Sequence, residues 1–219
     1  MKVILFGATG MVGQGVLREC LLDPRVESVL TVGRNATGQH HPKLREIVRD
    51  DLFDLTSIEA DLRGFDACFY CLGVSSVGMQ ADLYRHLTYD LTLAVAGLLA
   101  RLSPAMTFIY VSGAGTDSSE RGRTRWARVK GATENALLRL PFKAACMFRP
   151  AMIVALHGIK SKTRLYRVLY TALGPLPPLL YKAFPKYVTT TEQIGRAMIE
   201  VARDGPPKPV LESWDINKI

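Results

Sequence analysis

Short apolar runs alternate with amphipathic stretches along this chain, and the alternation starts at the first residues. Val3 to Phe6 make an apolar run of strand length, and Met11, Val12, Val16, Leu17, Leu21 and Leu22 fall on one face of a following helix. The same unit recurs. Residues 26–32 and 44–48 predict a second and a third strand, and Thr56 predicts the cap of a short helix ending near Leu62. Residues 65–72 form a continuous apolar run, as expected for a strand buried between helix layers. A long helix is predicted over 79–102, with Leu83, Leu87, Leu91, Val95, Leu98 and Leu99 inward and Pro104 beyond its end.

The pattern continues with strands at 107–111 and 142–148 on either side of a helix over 124–138. Thr189-Thr190-Thr191-Glu192 starts a last helix to about Arg203 in a capping-box-like manner. Val210-Leu211 and residues 214–216 read as a terminal strand at the sheet edge. Strands alternating with helices predict an α/β fold: a doubly wound, mostly parallel sheet with helices on both faces. At 219 residues the chain makes one domain, 1–219, with 157–188 as a small substrate or lid segment inside it. That segment is a basic loop, a short helix over 165–173, a bend forced by Gly174-Pro175-Leu176-Pro177-Pro178, and an apolar stretch with Leu179, Leu180, Tyr181, Phe184 and Tyr187.

Composition narrows the class. An apolar share of 48% with 22% charged residues is that of a globular protein, and no run approaches the roughly 20 apolar residues of a membrane span. The first apolar run is too short for a signal peptide. The four cysteines lie in apolar surroundings, so Cys68-x-x-Cys71 reads as core packing, and a reducing, cytoplasmic setting is the expectation. His40 and His41 have no partner at metal spacing and read as surface residues; no metal is expected. Residues 116–123 read as a polar, disorder-prone loop.

Charge is uneven. The first 120 residues hold 10 Lys and Arg against 14 Asp and Glu, and the remainder 18 against 6. The basic second half suits an anionic cofactor or substrate, or is a solvated face. A nucleic-acid partner is disfavoured, since no reading helix or base-stacking motif accompanies the charge.

The chemistry concentrates where strands end. Gly7-Ala8-Thr9-Gly10-Met11-Val12-Gly13 joins the first strand to the first helix, and such a turn lets backbone approach a phosphate at the positive end of a helix. Gly7, Thr9, Gly10, Met11, Val12 and Gly13 are therefore candidate cofactor contacts. The second strand ends in Gly33-Arg34 without the acid that would bind an adenosine ribose, so Arg34 favours NADP(H), with NAD(H) as the alternative. Asp51, followed by Leu52, is placed to meet an adenine amino group or to cap the next helix. Leu72 and Gly73 open a small-residue segment beside the cofactor's nicotinamide half, and Arg149-Pro150 closes the sixth strand as a further candidate contact. Ser112 follows the fifth strand, where a hydroxyl can bond a carbonyl or hydroxyl near the nicotinamide.

Taken together, GATGMVG, VGRN, CLG, VSGAG, VKG and FRP in this order resemble the short-chain dehydrogenase/reductase superfamily. Within it the chain is most similar to the atypical or extended-like branch and the small Tat-interacting-protein-type oxidoreductases. The resemblance implies a dinucleotide-binding Rossmann domain and a Ser, Tyr and Lys arrangement with Tyr four residues before Lys. Ser112 and Lys130 match it, Lys130 also as a ribose contact, but Trp126 stands at the tyrosine position. Indole is no acid–base group at neutral pH, so the proton comes from another group, Tyr84, Tyr89 or a water, or turnover has been lost. An NADP(H)-dependent reductase or epimerase-like enzyme is thus expected, acting on a small carbonyl or hydroxyl compound, apolar with an anionic group. The alternative is an NADPH-binding sensor or interaction module. Homodimerisation through the helices near 80–102 and 124–138 is the expected assembly.

Overall fold

Alternating side chains along the first strand decide where everything else packs. The computed structural model describes residues 1–159 and 184–219. In β1 (Lys2–Phe6), Val3 and Leu5 point to one face and Ile4 and Phe6 to the other, and each pair joins a separate hydrophobic core. β1 is flanked on both sides, by β2 (Ser28–Gly33) and by β4 (Ala67–Tyr70), so it lies deep in the sheet. With β3 (Leu44–Val48), β5 (Thr107–Val111), β6 (Ala144–Arg149) and β9 (Val210–Glu212), the described strands form a seven-stranded sheet ordered β3-β2-β1-β4-β5-β6-β9, parallel throughout. A second, two-stranded sheet pairs β7 (Met152–Val154) with β8 (Val188–Thr190), also in parallel.

Helices cover both faces, as a doubly wound fold requires. On one face α1 (Met11–Leu22) and α5 (Thr191–Asp204) bring Val16, Leu17, Ile194 and Met198 onto Leu5, Phe69 and Phe148. On the other, a 3₁₀ helix (Thr56–Leu62), α3 (Leu91–Leu102) and α4 (Arg125–Leu137) cover Phe6, Tyr70, Phe108 and Tyr110. The chain runs β1, β2, β3 outward and then crosses back to β4, so a crevice opens between the carboxyl ends of β1 and β4. In such sheets ligands bind at that switch point.

Several expectations shift. Helix α2 (Ala81–Arg85) passes through a π turn (His86–Asp90) into α3. Its Leu83 is 48% exposed, whereas Tyr84, Thr88, Leu91, Val95 and Leu99 are buried. A strict four-residue spacing drifts by about 40° per step on a helix, which carries Leu83 off the face that Leu99 occupies. Residues 213–216 are not strand: α6 (Ser213–Ile216) is a helix, started by a capping box between Glu212 and Asp215. Thr56 begins its helix without capping it; Asp54 instead accepts the Thr56 N–H at 3.0 Å. The last helix does start at a threonine cap, Thr190, whose hydroxyl accepts the Gln193 N–H at 2.9 Å. The loop 116–123 is held by Asp117, which accepts from the Ser119 N–H at 3.0 Å and the Gly122 N–H at 2.6 Å.

The cysteines are free, three of them buried and Cys71 partly so. Burial pushes the Cys68 and Cys71 thiols up, which leaves them as packing groups. No helix among the described residues is long and apolar enough to cross a membrane. The basic loop from 160, the helix at 165–173 and the Gly/Pro bend lie outside the described residues.

Candidate functional site

Two glycines make the turn after β1. Gly7 has φ +80°, and a Cβ there would sit 2.6 Å from the Leu72 nitrogen. A Cβ on Gly13 would sit 2.1 Å from the Gly7 carbonyl oxygen. No side chain fits at either place without moving β4 or α1, so the cradle is built from bare backbone. Gly10 is the N-cap of α1 and supplies no side-chain cap, and the first turn carries no acid. The amino end of α1 is thus left to an anion.

A cavity of about 200 Å³ opens in front of this turn, lined by Gly7, Thr9, Gly10, Arg34, Leu72 and Gly73 among others. A second of about 120 Å³ adjoins it, lined by Arg34, Asp51, Leu52, Phe53, Leu72 and Leu91. Arg34 and Leu72 are common to both, so one continuous cleft runs from the glycine turn over Arg34 to Asp51. Met11, Val12 and Gly13 lie in the first turn of α1, behind the lining. Arg34 is exposed and makes no ion pair or hydrogen bond among the described residues. Asp51 gives one carboxylate oxygen to the Phe53 N–H at 2.8 Å.

One contributor is not apparent in the sequence. Glu46 on β3 lies opposite Thr31, accepts its hydroxyl at 3.1 Å and accepts the Thr37 N–H at 2.9 Å. This carboxylate ties the loop after β2, and with it Arg34, to the sheet. The signal was a Thr and a Glu brought side by side by parallel register.

A second cluster forms at the carboxyl ends of β5 and β6. Lys130 on α4 donates from Nζ to the Ser112 carbonyl at 2.7 Å and lies 5.7 Å from the centre of the Tyr110 ring. Burial lowers its pKa to about 8, against a smaller opposing pull from Glu134. The Ser112 hydroxyl donates to Glu134 at 2.5 Å and also faces the Phe148 carbonyl at 3.2 Å. Glu134, 1% exposed and one helical turn beyond Lys130, also accepts Arg149 through Nε at 3.0 and 3.1 Å, and a third contact comes from Arg149 Nη2. The guanidinium therefore fills the charge need of a buried carboxylate, and Pro150 accepts the Ala114 N–H at 3.0 Å. Glu134 was missed because a Thr-Glu-Asn segment reads as a solvated helix face.

Trp126 lies along Gly115 at the mouth of the loop after β5, one turn before Lys130. Of the other hydroxyl groups considered, Tyr84 is 1% exposed and burial raises its pKa; Tyr89 sits under the Arg85 guanidinium, 4.7 Å from its ring centre.

Known proteins agree with this geometry at the level of the fold. No family model matches the chain. Among solved structures, the Bordetella bronchiseptica enzyme WbmH in complex with NAD+ superposes with a TM-score of 0.67 at 17% identity, over 96% of this chain and 74% of that one. A short-chain dehydrogenase family protein from Francisella tularensis gives 0.68 at 14% identity, over 96% of both chains. The chain accordingly has the Rossmann fold of the NAD-binding short-chain dehydrogenase/reductase and epimerase-like proteins.

Curated relatives lie closer in sequence. The mitochondrial protein FMP52 of Chaetomium globosum is 24% identical over 155 residues, 69% of this chain and 66% of its own length. The mitochondrial protein fmp52-2 of Aspergillus oryzae is 27% identical over 224 residues, 98% of this chain and 95% of its own. Their names overturn the cytoplasmic expectation, because cysteine usage reports a reducing setting and not a compartment.

Proposed function

We propose that this chain binds NADP(H) and works as a reductase or epimerase-like enzyme on a small carbonyl or hydroxyl compound. The observation that carries the reading is Arg34, a guanidinium without an ion pair or hydrogen bond among the described residues, at the wall shared by the two cavities. Among the described residues no carboxylate lines the first cavity, where an acid at the end of β2 would repel a 2′-phosphate; Asp50 and Asp51 line the adjoining one. Gly7, Thr9, Gly10 and the amino end of α1 would hold the pyrophosphate, Asp51 and Leu52 the adenine, and Leu72, Gly73 and Lys130 the nicotinamide half. The bare-backbone cradle supports such an occupant, since a Cβ at Gly7 or Gly13 would meet backbone. A bound nicotinamide would supply a hydride donor or acceptor. The Bordetella bronchiseptica enzymes WbmH and WbmF, similar in fold and solved in complex with NAD+, support a dinucleotide without choosing between NAD and NADP. The relatives' names support a mitochondrial setting.

Trp126 favours a second reading, a dinucleotide-binding sensor or interaction module without turnover. One experiment separates them. Fluorescence titration with NADPH and NADH measures binding, and a panel of aldehydes, ketones and alcohols then measures cofactor turnover. The reductase reading expects tighter NADPH than NADH and oxidation by at least one carbonyl. Tight NADPH with silence across the panel supports the sensor, and binding of neither dinucleotide sinks both.

A further inference from the structure

Among the described residues at the end of β5, Lys130 has donors that are uncommitted. Its single hydrogen bond among the described residues goes to the Ser112 carbonyl, leaving two N–H groups. It makes no ion pair with a carboxylate among the described residues; Glu134, one helical turn on, is held by Ser112 and Arg149. The Ser112 proton is spent in turn: a hydroxyl that donates to a carboxylate offers the cleft only its lone pairs. Trp126 offers no acid, and the Tyr70, Tyr84 and Tyr110 side chains are buried to within 1%.

We infer that Lys130 is the acid–base group of this site, its ammonium protonating the oxygen of a small aldehyde or ketone and its amine taking the proton back from the alcohol in reverse. The inference rests on the reductase reading above. In the reducing direction one N–H bond of Lys130 breaks and one O–H bond forms. The carbonyl carbon takes its hydride from the reduced dinucleotide, which leaves oxidised, and the amine recovers a proton from water. Ser112 accepts the hydroxyl hydrogen of the alcohol, and Glu134 is a positioning residue that keeps Ser112 an acceptor. The groups facing Lys130 are Glu134 from its own helix and Tyr110 from β5, the latter packed near Tyr84 of α2. A half-buried lysine with a pKa near 8 can give and regain a proton near neutral pH, which a lysine at 10.5 does poorly.

The test uses the full chain. Trace acetic anhydride labels free amines, and mass spectrometry read residue by residue from pH 6 to 11 titrates each lysine, with and without NADPH. Lys130 is expected to become reactive with a midpoint near 8, against an ordinary 10.5, and NADPH is expected to protect it several-fold. A midpoint at the ordinary value, or no labelling at any pH, overturns the inference while leaving NADPH binding intact. On the most active carbonyl of the panel, Lys130→Arg keeps the positive charge but holds its proton. With NADPH saturating, and its affinity for the variant read separately by fluorescence titration, it is expected to lose roughly 100-fold or more in turnover. An active Lys130→Arg overturns the inference alone; silence of the parent across the panel with NADPH bound overturns it together with the reductase reading.

Discussion

Gly13 stands so close to Gly7 that a methyl group on it would sit 2.1 Å from the Gly7 carbonyl oxygen. The obstacle is backbone, which cannot rotate away as a side chain would. Gly13→Ala must therefore push α1 off the end of β1. Overpacking of this kind costs on the order of 1–3 kcal/mol, and the displaced amides lose their aim. NADPH affinity is expected to fall roughly tenfold or more, read by fluorescence titration, with a lowered melting temperature.

Arg34 makes no hydrogen bond or ion pair among the described residues and is exposed, so its removal is expected to perturb little of the fold. Arg34→Ala is expected to weaken NADPH roughly 10- to 100-fold, as loss of a charge-assisted contact does. NADH should change less than threefold or so by the same reasoning. Equal losses for both cofactors would show that Arg34 contacts something other than a 2′-phosphate.

Removing Lys130 changes how stability responds to pH. Its folded pKa is about 8 against an ordinary 10.5, so between these values the unfolded chain binds more protons than the folded one. Stability of the native chain therefore gains with pH across that window. Lys130→Met lacks the gain. The melting temperature of Lys130→Met minus that of the parent should be most positive near pH 7 and shrink by pH 10. A difference that stays flat would show that burial does not disfavour this ammonium.

Arg149→Met leaves the Glu134 carboxylate buried with only the Ser112 hydroxyl. Breaking a buried pair from one side costs about 3–5 kcal/mol, measurable by urea unfolding. Adding Glu134→Leu should recover most of that loss, since the exposed cost is the orphaned charge and not the pair. A mild effect of Arg149→Met alone would mean water reaches Glu134.

The sheet was legible in the sequence because both of its faces are covered, which turns β1, β4 and β5 into continuous apolar runs. The glycine turn was legible for a different reason: so tight a strand-to-helix junction needs glycines at fixed spacing, since a Cβ at Gly7 or Gly13 would meet backbone. Glu46 and Glu134 were not. Each acts through a partner distant in sequence, Thr37 and Thr31 for one, Ser112 and Arg149 for the other, and a lone buried carboxylate resembles a solvated one until the fold assembles. The loop around Asp117 misled similarly, since its Ser, Asp and Gly residues bond one another locally and hold the loop in place. Residues 214–216 looked like strand because Trp214 and Ile216 alternate with a polar neighbour; the Glu212–Asp215 capping box decided for helix.

The packing of α1 against α5 bears on how the protein is made. The glycine turn and α1 leave the ribosome well before α5, but Val16, Leu17 and Cys20 pack with Ile194 and Met198 of that later helix. Until α5 is made, the helix that follows the glycine turn keeps an uncovered apolar flank, and the turn gains this support only as α5 arrives. Chains truncated before α5 should therefore be held by chaperones or degraded, instead of persisting as half-domains.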